Sequence, residues 1–278
     1  MHFSPVVAVQ ERALPGFSGL QFIDLAQLGV ADSPISVLDD FRVSGLPFSP
    51  HPHAGFAAVT YVFQDSPGGV RSRASNGVEL VLGPGSIVWT HAGRGIVHEE
   101  VPAEPGVELH GVQIFVNLSA EGKLTEPQVQ YLEPGQVPEW QGDDGDRVRV
   151  VVGSFAGASS PLVPAEPFTL LDAFIRHDIS VDLPAEHNAV IYVMAGGALV
   201  GADGQQAEVM EGHALALGGG GRIALRAVRP AHALILSGRQ ISDPVVSHGP
   251  FIMNDLGQIQ AAIARYQAGA MGHLDPLP

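Results

Sequence analysis

Short apolar or alternating runs recur along the whole chain, cut at close intervals by Gly, Pro, Asn and Asp. Residues 57–63 (AAVTYVF), 78–82 (VELVL), 86–90 (SIVWT) and 107–118 (VELHGVQIFVNL) read as strands, and 33–40 (SPISVLDD) alternates before ending in a carboxylate pair. A polar stretch rich in Pro and Gly over 133–147 interrupts the pattern, which resumes as RVRVVVGSF, PFTLLDAFI, NAVIYVMAG, HALALG and HALILSG. The expected fold is all-β, with two barrel-like domains over 1–132 and 148–278 joined by a linker over 133–147. Near the end, Ile259, Ala262, Ile263 and Tyr266 fall at helical spacing and predict one short C-terminal helix. Asn254 or Asp255 can cap its start and Gly269 can end it. Its expected role is to cover a barrel mouth or sheet of the second domain.

The halves share local text. Ala58-Val59-Thr60-Tyr61-Val62 aligns with Ala189-Val190-Ile191-Tyr192-Val193, and Gly85 before Ser86-Ile87-Val88 aligns with Gly212 before His213-Ala214-Leu215. A duplicated β unit accounts for both matches.

Composition narrows the function classes. The formal net charge of −15 repels phosphate backbones and anionic lipid surfaces, so neither nucleic acid nor membrane is an expected partner. With no cysteine, thiolate metal sites, disulfides and cysteine nucleophiles are excluded. The opening MHFSPVVAVQER lacks a signal-peptide pattern, and no apolar run reaches membrane-helix length, so the cytoplasm is the expected compartment. Nothing in the text calls for a second copy, and a monomer is expected.

Two short motifs carry candidate chemistry, His51-Pro52-His53 and His98-Glu99-Glu100. Each alone is common, and histidines on surface loops are the competing explanation. In a strand, residues i and i+2 share a face, so His51 with His53, and His98 with Glu100, can aim at one point. His98 follows His53 by 45 positions, enough for the intervening hairpins. Three imidazoles and one carboxylate form a mixed nitrogen and oxygen site suited to one divalent transition metal: Fe(II) first, with Cu, Ni, Mn or Zn as alternatives. A six-coordinate metal held this way keeps two open positions, which implies ligand exchange or chemistry rather than a closed structural site.

Three motifs in order, HPHAGFAAVTYV, LGPGSIVWTHAGRGIVHEEVP and DPVVSHGPFIMN, resemble the pirin family of the cupin superfamily. The resemblance implies a bicupin, two cupin-type double-stranded β-helix barrels with metal in the N-terminal one only. Its ligands fall on His51, His53, His98 and Glu100, with Glu99 on the other face. The family implies two activities. One is a metal-dependent dioxygenase that opens flavonols such as quercetin with O2, with Glu100 as the catalytic base. The other is an iron- or redox-responsive regulator that binds partner proteins.

The chain departs from the family pattern in places. Ala54 and Ala57 stand where an arginine and a glutamate are usual, Arg71-Ser72-Arg73-Ala74-Ser75 replaces a His-x-Asp-Ser, and His91 replaces a small polar residue. These changes are expected to leave the pocket roomier and less polar. In the second half Asp182 and Pro184 align with the first two histidines, so no metal is expected there, and His187, His213 and His232 read as surface or hydrogen-bonded residues. His110 reads as a satisfied barrel residue and Arg94 as a turn arginine or an entrance residue. Trp89 and Phe56 read as core filling, and His248 to Phe251 as a segment returning across the domains.

Overall fold

Tyr61 and Tyr192 occupy matching places in two separate sheets, so the duplicated text is a duplicated structure. Tyr61 in the strand Phe56–Val62 faces Ile87 on one side and Val112 on the other; Tyr192 in His187–Ala202 faces Ala214 and Leu234. Gly85 and Gly212, which open the neighbouring strands, both have positive φ (88° and 71°), a conformation only glycine adopts cheaply. This computed structural model describes residues 1–46 and 48–277.

The first barrel comprises residues 11–22, 35–134 and 241–277. Its larger sheet has seven antiparallel strands, in which Gln128–Leu132, Ile87–His91, Phe56–Val62, Leu109–Asn117, Ile35–Val43 and Phe17–Phe22 follow in spatial order. The smaller sheet runs His51–His53, Ile96–Pro102, Val70–Ala74 and Glu79–Leu82. Alternation along these strands puts one side-chain set between the two sheets, where they line a common cavity.

The second barrel comprises residues 1–10, 23–34 and 135–240. A ten-stranded sheet winds round an interior in which Val148, Val150, Leu171, Ile191, Leu215 and Ile235 are all 0% exposed. These side chains pack against one another as one closed apolar core.

The structure corrects the expected boundaries in three places. The first residues do not join the first barrel: His2, Phe3 and Val7 pair with the edge of the His213–Gly218 strand, and backbone pairing closes that edge. The expected linker over 133–147 is partly folded. Glu139–Gln141 pairs with Arg147–Val152, and Trp140 packs edge-on against Phe155 at 5.2 Å, so one tryptophan anchors an otherwise polar stretch. Last, residues 241–277, helix included, belong to the first barrel.

The returning segment is held by a close backbone approach. Ile252 N–H donates to Ala54 C=O at 3.0 Å, and the fully buried Lys123 ammonium donates to Gly55 C=O (2.7 Å), Ile252 C=O (3.0 Å) and Asn117 Oδ1. A Cβ on Gly55, whose φ is 86°, would lie 1.8 Å from the Ile252 carbonyl oxygen, so no side chain fits there. The helix Leu256–Gln267 then buries Ile259 and Ala262 in a cluster with Ala54, Val97, Phe251 and Met253. Asp255 caps it by accepting from Gln258 N–H, and Gly269 follows in the left-handed conformation. Among the described residues no helix is long and apolar enough to cross a membrane.

Candidate metal centre

The register of the smaller sheet brings the two histidine motifs together. His51 faces His98 and His53 faces Ile96 across the antiparallel pair, so His51, His53 and His98 gather on one part of the cavity wall. Their rings form a triangle with centroid separations of 4.8, 4.8 and 4.7 Å, and one ligand nitrogen from each lies within 4.8 Å of the others.

Their hydrogen bonds and burial prepare them as ligands. His51 Nδ1 lies 2.9 Å from the Ser49 carbonyl oxygen and His53 Nδ1 lies 3.4 Å from that of Pro250. A carbonyl oxygen only accepts, so each Nδ1 carries the proton and each Nε2 keeps its lone pair. Among the described residues neither ring nitrogen of the buried His98 has a hydrogen-bond partner. Burial, then the neighbouring His51, push His53 down to about 3 against the Pro250 hydrogen bond. Burial, then His53 and His51, hold His98 well below its ordinary 6.5. At neutral pH both are uncharged imidazoles, the form that binds a metal. An orphaned buried nitrogen beside two nitrogens with preset tautomers fits a transition-metal ion.

Glu100 projects into the same cavity, as the i+2 rule requires, but lies outside the three-histidine group. Thr60 donates to its Oε2, and Ser72, directly opposite on the next strand, donates to Oε1 at 3.2 Å. Burial raises its carboxyl from 4.5 to about 7 despite both hydrogen bonds, which favour the charged form. Glu99 points the other way and pairs with Arg73, whose guanidinium also donates to the Asp275 carbonyl at 2.8 Å.

The cavity of about 400 Å³ is walled mainly by apolar side chains, among them Phe17, Phe41, Phe48, Leu109 and Phe115. Phe115 and Phe56 touch the His53 ring edge-on, with centroids 5.3 and 4.9 Å away. Besides Arg12, the polar members that the sequence left unremarked are Thr60, Gln113 and Asp39. All three lie in one cross-strand row, since Gln113 faces Thr60 on one side and Asp39 on the other.

The family departures act differently from expectation. Ala57 is adjacent in parity to Thr60's opposite face and lies outside the cavity wall, as do Ala54 and His91. Ala54 packs beneath Phe251 and Met253, and His91 bonds Thr125 Oγ1 at 2.7 Å. Neither alanine therefore enlarges the pocket. Of that set only Ser72 reaches the site, through Glu100.

The other singled-out residues have structural partners. His110 contacts Asp40 at 3.2 Å, and the exposed Arg94 pairs with Glu126 at 3.1 Å. Trp89 is buried core. In the second barrel His232 bonds Asp172 at 2.5 Å, His213 Nδ1 lies 2.9 Å from the Glu211 carbonyl, and His187 lies 3.5 Å from Ser237. Asp182 pairs with Arg222.

Comparison with known proteins gives a consistent result. The Pirin family model matches residues 9–116, and the model of the pirin C-terminal cupin domain matches residues 172–272. A Vibrio cholerae protein provisionally named quercetin 2,3-dioxygenase is 34% identical over 249 residues, covering 85% of this chain and 86% of that protein. A quercetin 2,3-dioxygenase structure from Acinetobacter baumannii superposes with a TM-score of 0.83 at 24% identity, over 98% of this chain and 99% of the other. A bacterial pirin from Escherichia coli, solved in complex with nickel(II), superposes with a TM-score of 0.65 at 18% identity, over 86% and 99% of the two chains. At these identities the two structures speak to the fold.

Proposed function

Because the chain belongs to the pirin family of cupins, we propose that its first barrel binds one divalent transition metal and uses it to open flavonols with O2. The observation that carries this reading is the group of three converging histidines, two of them held neutral by burial, on the wall of an apolar cavity. His51, His53 and His98 would hold the metal. Glu100 would complete the set through one carboxylate oxygen while Thr60 keeps its hydrogen bond to the other, and Fe(II) is the first candidate, ahead of Cu, Ni, Mn or Zn. When bound, the metal supplies Lewis acidity and a meeting place for O2 and a bidentate phenolate.

The protein's own groups do the rest. The phenylalanine-lined walls bind a planar aromatic and exclude water. Glu100, in the same cavity, is the carboxylate that would take a proton from a substrate hydroxyl. Thr60 and Ser72 hold its oxygens toward the cavity and stabilise the charged form.

The test is anaerobic titration of the metal-loaded protein with quercetin. A shifted flavonol absorption band in the wild type, absent in His98→Ala, supports chelation at this site. The same spectrum in both proteins, or none in either, overturns the reading.

A further inference from the structure

The duplication offers an internal control for what the cavity is built to do. In the second barrel, the row matching Asp39, Gln113 and Thr60 is Leu171, Ile235 and Ile191, by the same strand pairings. Those three aliphatic side chains are fully buried in a closed apolar core. Where the second barrel packs a solid apolar layer, the first keeps three polar side chains round an open space.

Two of the three have partners already described. Thr60 donates to Glu100 and lies 3.1 Å from Gln113 Oε1, and Gln113 Nε2 donates to the Val59 carbonyl at 3.0 Å. Asp39 differs. It lines the cavity with no hydrogen-bond partner among the described residues, and burial raises its carboxyl from 3.8 to about 6, although the Arg12 guanidinium pulls it down. An unpaired, partly desolvated carboxylate is costly, and a ligand hydroxyl would relieve that cost. Two strand spacings separate Asp39 from Thr60, about 10 Å across the sheet. Thr60 marks the Glu100 end of the row.

We propose that Asp39 is the specificity-determining residue at the far end of the cavity, accepting a hydrogen bond from a hydroxyl on the ring remote from the metal-chelating group. The inference rests on the function proposed above and adds to it the shape of the substrate: an elongated, planar polyphenol, polar at both ends and apolar between. Burial raises the Asp39 carboxyl and Arg12, on the same wall, pulls against that rise and so favours the ionised, accepting form. The selected molecule therefore carries a neutral hydroxyl at that end, not a carboxylate.

The test compares two flavonols that share the 3-hydroxy-4-keto chelating group: quercetin, which also carries a pendant-ring catechol, and galangin, which lacks both pendant-ring hydroxyls; any preference that comes from the catechol binding the metal would survive in Asp39→Leu. Binding is measured anaerobically to nickel-loaded protein by isothermal titration calorimetry, so turnover plays no part. Wild type should prefer quercetin by about tenfold, the order expected for filling a buried unpaired acceptor. Asp39→Leu, which installs the residue the second barrel carries at this place, should bring the ratio near one and tighten galangin. Asp39→Asn should retain part of the preference, because an amide oxygen still accepts. Thermal melts establish that each variant is folded. A quercetin preference that survives in Asp39→Leu, or equal binding of the two flavonols by wild type, overturns the role of Asp39 alone. Binding of neither flavonol by wild type overturns the proposed function and this inference with it.

Discussion

Replacing Thr60 by valine keeps the side chain's volume while deleting the hydroxyl that donates to Glu100. The Glu100 carboxyl sits at about 7 because burial outweighs the hydrogen bonds from Thr60 and Ser72. A hydrogen bond to a charged group is worth about 1.5–3 kcal/mol, and one pKa unit is about 1.4 kcal/mol. Losing one such bond should therefore raise the carboxyl by about one to two units. Carbon-13 NMR of the glutamate side chains in metal-free protein, followed against pH, reads that shift directly. If Glu100 ligates the metal, its proton must leave first, and the neutral His53 and His98 add no proton of their own near pH 7. At pH 7 the variant should then bind nickel(II) about 5- to 50-fold more weakly, with the gap closing as pH rises above 9. An unmoved Glu100 titration would refute the link from Thr60 to Glu100. A pH-independent affinity ratio would refute ligation by that carboxylate.

The same shift fixes the sign of a stability effect. Folded Glu100 holds its proton more tightly than the ordinary value of 4.5 allows, so its contribution is fully present below pH 4.5 and is lost as pH rises through about 7. The Glu100 share of metal-free stability, read as wild type minus Glu100→Gln, should fall over that window against the rise from neutral His53 and His98, and Thr60→Val should extend that fall upward. Chemical denaturation at a series of pH values measures both.

Elemental analysis should find one transition metal per chain, with most of it lost in His51→Ala or His98→Ala; two metals per chain would contradict the closed apolar second core. Chelation should lower the melting temperature modestly and leave far-ultraviolet dichroism nearly unchanged, because both barrels keep their cores without metal. Gly55→Ala should destabilise by more than about 2 kcal/mol in denaturant melts, since it combines a positive φ with a Cβ 1.8 Å from the Ile252 carbonyl oxygen. Ala57→Glu should cost several kcal/mol and leave flavonol binding by any folded fraction unchanged, because position 57 is 0% exposed and off the cavity wall.

Much of this was legible in the chain because local rules produce it. Strand alternation predicts that His51, His53, His98 and Glu100 share a face, and the cavity receives all four. The Tyr61 and Tyr192 alignment holds to the residue in the sheet registers. What escaped the sequence depends on long-range pairing. Nothing local marks Phe3 as a partner of Leu217, or residues 251–253 as a cover for Gly55. The expectation for Ala57 fails for a different reason: a family position is not a pocket position, and alternation from Thr60 places residue 57 on the other face. Asp39 was visible only as half of a carboxylate pair, and its meaning emerged when the row it belongs to was matched with Leu171.

Flavonol turnover at the three-histidine site is the most direct test of the proposed function. Oxygen uptake should be measured with quercetin and Fe(II)-loaded protein, beside His98→Ala and the same concentration of iron alone. In the wild type uptake should match the loss of flavonol absorbance, and in the variant neither should exceed the iron control. Equal uptake by wild type, variant and iron alone would contradict that function.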